Sequence, residues 1–298
     1  MPAISTPATA APVRKDPQVL ITDAINSISH IATLPEITLK IIELVENPRS
    51  TAQDLNKLIS NDPALVSRIL KVVNSAFYGL PGQIGSINRA IVLLGLNAVK
   101  NIVIAASLTK LFRGGRVSPH FSAKDLWTHS IAVGVLSKLI VGKLNNALPD
   151  EAFLAGLIHD IGILVELQAL REPLVEVAER AAREELRYID LETQIIGVDH
   201  QALGAALTNK WKFPRSFQYV TGHHHNPLAL APECRWLTCV IHVADHVCAR
   251  EKLGYTLTCK SEELDPAVLA ELNLPLETVN ELAKSLPEAL KETEAMLT

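Results

Sequence analysis

The stretch EAFLAGLIHDIGILVEL, residues 151–167, limits the possible fold more than any other part of the chain. Its apolar residues occupy every side of a helix, so the segment belongs in a protein interior. At its centre stand His159 and Asp160. An ionised carboxylate in such an interior costs several kcal/mol unless a partner compensates its charge. The stretch therefore predicts a central helix and a nearby group that neutralises Asp160.

The rest of the chain has the composition of a helical globular protein. Of its 298 residues 48% are hydrophobic, which is enough to bury a substantial core. Apolar residues recur three and four positions apart almost throughout, and no Asn-Gly or Asp-Gly turn separates alternating strands. We therefore predict an all-α protein built as a multi-helix bundle.

Changes in composition divide the chain into segments. Residues 1–16, rich in proline, alanine, threonine and serine, are predicted to be a disordered leader. Residues 17–112 are predicted to form an N-terminal helical lobe and residues 122–250 a histidine-rich helical lobe, with the loop FRGGRVSPHFS between them. The acidic residues 251–298 predict peripheral C-terminal helices, either a solvated appendage or an interaction surface.

Several helix starts are marked by capping residues. Asp62 comes directly before Pro63, which is the order expected at a helix N-terminus. Ser86 and Ser122 precede two further apolar periodic segments, and Pro149 opens the stretch quoted above. These positions predict where four helices begin.

Charge and cysteine content exclude some functions. A net charge of −4 and a pI near 6.2 provide no basic face for duplex DNA or an anionic membrane. The run AIVLLGLNAVKNIVIAASLTKLF is interrupted by Asn97, Lys100 and Asn101, so we expect no uninterrupted span of ~18 apolar residues to cross a bilayer. Four cysteines without a C-x-x-C pair suit reduced thiols. We expect a cytoplasmic protein with no direct nucleic-acid partner and no membrane partner.

Histidines and aspartates recur inside other apolar segments. His129 lies in LWTHSIAVGVL, His200 in VDHQALGAAL and Asp245 in LTCVIHVADHVCA, while the triplet 223–225 precedes a turn. A single buried histidine is usually a hydrogen-bonded core residue, and a single aspartate usually caps a helix or pairs with a basic side chain. The repetition points instead to a shared cluster.

Neither LAGLIHDIGILVEL nor LTCVIHVADHVCA contains a lysine or arginine that would neutralise Asp160 or Asp245. A divalent metal held by imidazole nitrogens and carboxylate oxygens would do so, and iron, manganese, zinc and magnesium suit such ligands. The alternative is a metal-free hydrogen-bonded network of histidines and acids.

These segments, in this order, resemble the HDOD family of the HD superfamily of metal-dependent phosphohydrolases, which is related to the HD-GYP phosphodiesterases. The resemblance rests on DPALVSRILKVVNSAFYG and AIVLLG in the N-terminal lobe, and then on LWTHSIAVG, GLIHDIGIL, VDHQALGAALTNKWKFP and HHHNP. It covers roughly residues 20 to 250. It implies an HD-domain-like helical bundle with an N-terminal helical lobe.

Position by position, the resemblance implies a site for two divalent ions. Asp160 would bridge the ions, which would be iron, manganese, zinc or magnesium. The ligands so implied are His129, His159, Asp160 and Asp245 for one ion, and His200, His224 and His225 for the other.

Two residues near these ligands fit the metal-ligand pattern of the family less well. His223 lies outside the aligned histidine pair, which makes it a bystander. Asp125 stands where some HD-GYP relatives use a glutamate for a third metal. Its alternative role is that of a first-turn acid favoured by the helix dipole near Ser122.

Metal ligands do not by themselves make an enzyme. Two bridged metals supply hydroxide at neutral pH for in-line attack on phosphorus, which is the chemistry of the HD-GYP branch. In that branch the lysine of H-D-x-G-K contacts the substrate phosphate; here Ile163 takes its place, and NPLALAP replaces the Gly-Tyr-Pro segment. The resemblance favours a non-catalytic regulatory module in bacterial signal transduction, with signalling proteins as partners. The alternative is a metal-dependent phosphodiesterase or nucleotide phosphohydrolase that binds a nucleotide or cyclic dinucleotide.

Overall fold

The computed structural model describes residues 16–28, 36–75, 78–109, 111–112, 115–146, 148–259 and 263–297. This part of the chain is almost wholly α-helical, which confirms the predicted fold class. Its strands are two short ones in the loop between the predicted lobes, Arg116–Ser118 (β1) and Phe121–Ser122 (β2), paired antiparallel. Of the predicted leader, all but Asp16 lies outside the described residues.

Most helices are joined by short connections, and longer ones follow α4, α6 and α14. Those of the N-terminal part are α1 (Pro17–Ser27), α2 (Glu36–Glu46), α3 (Ala52–Ser60), α4 (Pro63–Val73), α5 (Ile87–Leu94) and α6 (Leu96–Leu108). Those that follow are α7 (Ala123–Lys143), α8 (Pro149–Ile158), α9 (Ile161–Ala169), α10 (Arg171–Arg183), α11 (Tyr188–Ile195), α12 (His200–Lys210), α13 (Arg215–His223), α14 (Pro232–Arg250), α15 (Pro266–Glu271) and α16 (Leu276–Leu297). A 3-10 helix, Pro227–Ala229, precedes α14.

The predicted helix starts are confirmed. Helix α4 begins at Pro63, and the side chain of Asp62 accepts a hydrogen bond from the Leu65 amide (2.9 Å). Ser86 and Ser122 cap α5 and α7 in the same way. Each cap satisfies an amide that the first helical turn would otherwise leave unpaired.

Helix α7 lies at the centre of the molecule. It packs on α8, α14 and α16, and its residues Val133, Leu136 and Ile140 are fully buried. Helix α16, predicted as peripheral, packs along α7 with Val279 and Leu286 fully buried. The C-terminal segment therefore contributes to the same hydrophobic core as the other helices.

The prediction of one continuous helix through residues 151–167 is wrong. Helices α8 and α9 are separate, and His159 and Asp160 form the turn between them. The break coincides with a close approach of α9 to α12, because a β-carbon at Gly162 would lie 1.8 Å from the carbonyl oxygen of His200. Only glycine permits this contact, which brings the turn beside the start of α12.

The segment Pro149–Ala169 is long and apolar enough, by length and composition alone, to span a membrane. The expectation that no such segment exists is therefore wrong. The segment is interrupted at Asp160, and 83% of its most apolar 18-residue window is buried inside the protein. Its position is that of a core element.

Candidate metal centre

All seven predicted ligand residues lie together in one buried cluster. Six of them are at most 1% exposed, and the side chain of the seventh, His225, is 10% exposed. They come from the middle of α7 (His129), the α8–α9 turn (His159 and Asp160), the start of α12 (His200), the end of α13 (His224 and His225) and the middle of α14 (Asp245).

One half of the cluster is arranged around Asp245. Its Oδ1 lies 3.0 Å from Nε2 of His129 and 3.9 Å from Nε2 of His159. Nε2 of His159 is also 3.3 Å from Oδ2 of Asp160. Two imidazoles and two carboxylates thus face a common point.

The other half is arranged around the second oxygen of Asp160. Oδ1 lies 3.4 Å from Nε2 of His200 and 3.3 Å from Nε2 of His224. Nε2 of His225 completes the group, 3.1 Å from Nε2 of His200. Asp160 therefore presents one oxygen to each half of the cluster, as a bridging carboxylate would.

Four of the imidazoles are held by their outer nitrogen. When Nδ1–H donates this hydrogen bond in a neutral ring, the lone pair is on Nε2, which is the nitrogen that faces the cluster in all four residues. The acceptors are the carbonyl oxygens of Leu253 for His129 (3.0 Å), Gly156 for His159 (2.7 Å) and Val220 for His224 (3.1 Å), and the Glu192 carboxylate for His200 (2.8 Å).

Several polar atoms at the centre have no hydrogen-bond partner. They are Nε2 of His159, both carboxylate oxygens of Asp160 and Oδ2 of Asp245. Within the described residues no lysine or arginine forms an ion pair with either aspartate, as the sequence indicates. Buried polar atoms are normally paired, and a metal-free network would have to satisfy them. Imidazole nitrogens and carboxylate oxygens that have no basic side chain beside them are a suitable ligand set for a divalent metal ion.

The charges of the buried groups depend on one another. Burial alone lowers the pKa of His159, but the adjacent Asp160 carboxylate more than offsets it, and the pKa is raised to about 9. Burial would raise the pKa of Asp245, yet the hydrogen bond with His129 holds it well below its usual value. Burial and the neighbouring imidazoles lower the pKa of His225. The cluster without metal therefore contains an ionised carboxylate, a protonated His159 and a neutral His225, and a metal ion would displace the proton of His159.

Two buried glutamates beside the cluster were not predicted as site residues. Glu192 accepts hydrogen bonds from Nδ1 and from the backbone amide of His200, which fixes that ring. Glu166 is fully buried, its carboxyl oxygens have no hydrogen-bond partner, and burial and Glu192 raise its pKa well above the usual value. Glu166 could have been predicted from the sequence, because it is a second acidic residue in the apolar stretch that contains Asp160.

A glycine loop after α14 positions His129. Gly254 has φ +73°, and a β-carbon there would lie 2.4 Å from both the carbonyl oxygen of Asp125 and the amide of His129. The loop can therefore lie against α7, where the carbonyl oxygen of Leu253 accepts the hydrogen bond from His129. This approach was not visible in the sequence.

Three residues that fit the family pattern less well, or depart from it, are not among the ligands of the cluster. Asp125 sits in the first turn of α7, where its amide donates to the Ser122 hydroxyl (3.4 Å), and it belongs to none of the metal-type groups among the described residues. His223 is half-buried at the end of α13 and is likewise outside these groups. Ile163, at the position of the family lysine, is fully buried in α9.

A cavity of about 150 Å³ reaches the cluster at His225. Arg187 lines it and pairs with Asp190 through two hydrogen bonds of 2.7 and 2.8 Å. The buried hydroxyl of Thr258 also lines it and has no hydrogen-bond partner. The cavity is thus a mainly apolar approach to the cluster that carries one guanidinium group and one hydroxyl.

The cysteines form no disulfide, in keeping with the predicted reduced thiols. Cys259 lies on the wall of the same cavity. Together with His246 it offers a ligand atom within 4.8 Å of a carboxylate oxygen of Asp245. This group is a second set of metal-type donors at the edge of the cluster.

The chain matches a family model for the HDOD domain over residues 31–227. It is 31% identical over 207 residues to an uncharacterized protein of Treponema pallidum, a match that covers 69% of this chain but 39% of that relative. The curated relative is therefore much longer than the part this chain matches.

Solved structures share the fold. A candidate phosphohydrolase from Shewanella amazonensis superposes with a TM-score of 0.69 at 22% identity, covering 93% of this chain and 98% of that one. A candidate signal transduction protein from Marinobacter aquaeolei gives a TM-score of 0.73 at 20% identity, covering 94% of this chain and 65% of that one. At these identities the likeness concerns the helical architecture.

Proposed function

Because the chain belongs to the HDOD family, we propose that it is a cytoplasmic, non-catalytic regulatory module of bacterial signal transduction that holds two divalent ions. Asp160 would bridge the ions, which are iron, manganese, zinc or magnesium. The remaining ligands are His129, His159 and Asp245 for one ion, and His200, His224 and His225 for the other.

The observation that carries the proposal is the set of inward-facing donors without partners. Both oxygens of Asp160 and Oδ2 of Asp245 are buried and unpaired, while the imidazoles around them are oriented by their outer nitrogens. Such orientation is what the residues behind metal ligands provide. Because the donors come from five parts of the helical bundle, a bound metal would tie these elements together and couple its own binding to their packing.

The non-catalytic part of the proposal rests on what surrounds the donors. Ile163 is fully buried and offers neither charge nor proton. Arg187, the guanidinium at the cavity beside His225, is paired with Asp190. A signalling role is further supported by the likeness to the Marinobacter candidate signal transduction protein. The match covers 65% of that protein. The module would act through contacts with other signalling proteins.

A metal-dependent phosphohydrolase acting on a nucleotide or cyclic dinucleotide is the second candidate. The observation that favours it is the cavity at His225, where the polar side chains of Arg187 and Thr258 line an approach to the cluster. The fold is shared with the Shewanella candidate phosphohydrolase. Divalent metal would supply hydroxide at neutral pH, and Arg187, released from Asp190, would bind a phosphate.

The first test is elemental analysis of the purified protein, scored as metal atoms per chain. We expect about two equivalents for the wild type and a loss of metal in Asp160→Asn, which keeps the shape of the side chain but removes the bridging charge. The matched control is Asp190→Asn, a partly exposed acid outside the cluster, which should keep its metal. A folded wild-type protein without metal would contradict the proposal and favour the hydrogen-bonded network.

A second test separates the two candidates. The metal-loaded protein is incubated with cyclic dinucleotides and with a chromogenic phosphodiester, and product is measured. The regulatory module is expected to give no turnover above that of Asp160→Asn. Turnover that depends on Asp160 and falls in Arg187→Ala would replace it by the phosphohydrolase.

A further inference from the structure

The donor group Asp245, His246 and Cys259 lies at the edge of the His/Asp cluster. Each residue offers one ligand atom, and the three atoms lie within 4.8 Å of one another. All three residues are buried, the most exposed being His246 at 9%. His246 and Cys259 are not among the ligands that the family resemblance implies, so this group is an addition to the two-ion centre.

Asp245 can serve both groups of donors. Its Oδ1 lies 3.0 Å from Nε2 of His129, inside the cluster. Its Oδ2 is buried without a hydrogen-bond partner and lies 3.9 Å from Nδ1 of His225. His225 lines the same cavity as His246 and Cys259. Because a buried acceptor is normally paired, a cation on the cavity side of Asp245 would satisfy this oxygen.

His246 is oriented by its own helix. Its Nδ1 lies 3.0 Å from the carbonyl oxygen of His242, one turn earlier in α14. When Nδ1–H donates this hydrogen bond in a neutral ring, the lone pair is on Nε2, as a metal ligand requires. Asp245 and His246 are neighbours in α14, where successive side chains diverge by about 100°. One ion can therefore reach both only from the side between them.

Cys259 comes from the segment that follows α14. Gly254 lets this segment lie against α7, where the amide of Tyr255 donates to the carbonyl oxygen of Asp125 (2.9 Å). The segment then returns to α14, so that Cys259 and His246 line one cavity. A sulfur donor thus meets a nitrogen and an oxygen donor from the helix that precedes it in the chain.

The chemistry of these donors selects the ion. A thiolate combined with imidazole and carboxylate suits zinc, a borderline-soft cation that is bound tetrahedrally by four ligands. Magnesium and calcium prefer oxygen ligands alone. Three protein ligands leave the fourth position open. The cavity of about 150 Å³ has room for a water molecule or a small ligand there.

We propose that Asp245, His246 and Cys259 bind one zinc ion, at a third metal site whose open position faces the cavity at His225. Binding would release the thiol proton of Cys259 to solvent and tie the segment after α14 to that helix. The site shares Asp245 with the two-ion centre but does not require ions there. Because one of its three ligands is shared, it should hold its ion less tightly than the centre and fill when metal is added to the purified protein.

The probe is cobalt(II), which occupies zinc sites and whose bond to a thiolate gives a charge-transfer absorption in the near ultraviolet. The seven proposed ligands of the two-ion centre contain no sulfur, so this band reports the third site alone. The purified full-length protein is titrated with cobalt(II) in a reductant that lacks a thiol. We expect the band to appear and to disappear when zinc is added. A wild type that gives no band at saturating cobalt would overturn the proposal, however the variants fold.

Two variants identify the ligands. Cys259→Ser should lose the band completely, and His246→Gln should need a higher cobalt concentration to produce it. The matched control is Cys234→Ser, because Cys234 is only half-buried and belongs to none of the metal-type groups among the described residues. It should keep the full band. A band that persists in Cys259→Ser, or that is lost in Cys234→Ser, would mean that another thiol binds the cobalt and would also overturn the proposal.

Asp160→Asn separates this site from the two-ion centre. The variant should lose the metal of the centre but keep the thiolate band. A wild type that is purified without metal and still gives the band would contradict the two-ion centre and support the third site. A wild type that is purified with two ions and gives no band would support the centre and contradict the third site.

Discussion

The His/Asp cluster and a cavity of about 390 Å³ between α2, α6 and α8 both place carboxylates among apolar helices, but the two regions balance the charge differently. In the cluster, Asp160 and Asp245 are at most 1% exposed and face only imidazoles. In the cavity, Glu46 is 47% exposed and pairs with Lys100, which the chain itself provides. A carboxylate near solvent can thus be neutralised by a lysine, whereas among the described residues no lysine or arginine pairs with the two buried aspartates of the cluster.

Removal of metal from the His/Asp cluster should cause the largest change in the stability of the protein. Ions present at about a thousand times their Kd stabilise a protein by about 4 kcal/mol. For a chain of this size the corresponding fall in Tm is about 10 °C. We expect this fall when the wild type is treated with a chelator in a thermal melt, and recovery when metal is added back.

The control for this experiment is Asp160→Asn, which should have a low Tm that the chelator does not change. A wild type that melts at the same temperature with and without chelator would show that hydrogen bonds alone hold the cluster. The His/Asp cluster and the cavity would then differ only in how exposed their carboxylates are.

The second prediction concerns the packing that forms the cluster. In Gly162→Ala the new β-carbon would meet the carbonyl oxygen of His200 at 1.8 Å and the amide of Gly204 at 2.9 Å. Backbone atoms cannot move aside without shifting α12, so we expect a loss of about 3 kcal/mol in the free energy of unfolding and weaker metal binding. Urea denaturation and metal titration measure the two effects.

Gly142→Ala is the matched control, because it lies in α7 and a β-carbon there would have no neighbour within 4 Å. It should gain about 0.5–1 kcal/mol, since alanine favours a helix over glycine. If Gly162→Ala is as stable as this control, the approach of α9 to α12 does not determine the position of His200.

The third prediction concerns Glu166, a fully buried carboxyl group beside the His/Asp cluster that has no basic partner among the described residues. Burial and Glu192 raise its pKa well above 4.5. Just above pH 4.5 the unfolded chain therefore loses this proton while the folded chain keeps it, so the contribution of Glu166 to stability falls as the pH rises. The slope of this contribution between pH 4.5 and 6 is at most about 1.4 kcal/mol per pH unit.

The variant Glu166→Gln cannot titrate and should lack this slope. Its stability relative to the wild type should rise at up to that slope over the same pH range, with urea midpoints measured in the presence of chelator. A constant difference between the two proteins would mean that Glu166 is ionised in the folded state and has a partner.

Much of the architecture was predictable because it depends on local signals. Asp62 and Ser122 cap helices through bonds to residues three positions away, and helical periodicity identifies the buried faces. The choice of His159 and Asp160 as site residues followed from the cost of burying charge. These inferences need no knowledge of how distant helices meet.

The remaining features depend on contacts between distant segments. The turn at Asp160 reflects the approach of α9 to α12, which no property of the apolar stretch reveals. Likewise, the carbonyl oxygen of Leu253 lies 124 positions from His129, so the orientation of that ring could not be read from the sequence. Cys259 reaches His246 only once the segment after α14 has folded back.

The smallest effect is expected in the cavity. The side chain of Lys100 is 8% exposed, but that of its partner Glu46 is 47% exposed, so water can hydrate the carboxylate once the lysine is removed. A double-mutant cycle of Lys100→Met and Glu46→Gln, measured by urea denaturation, should therefore give a coupling energy below about 1 kcal/mol. A coupling energy of about 3 kcal/mol or more would mean that this pair behaves as a buried ion pair, and the contrast with the cluster would fail.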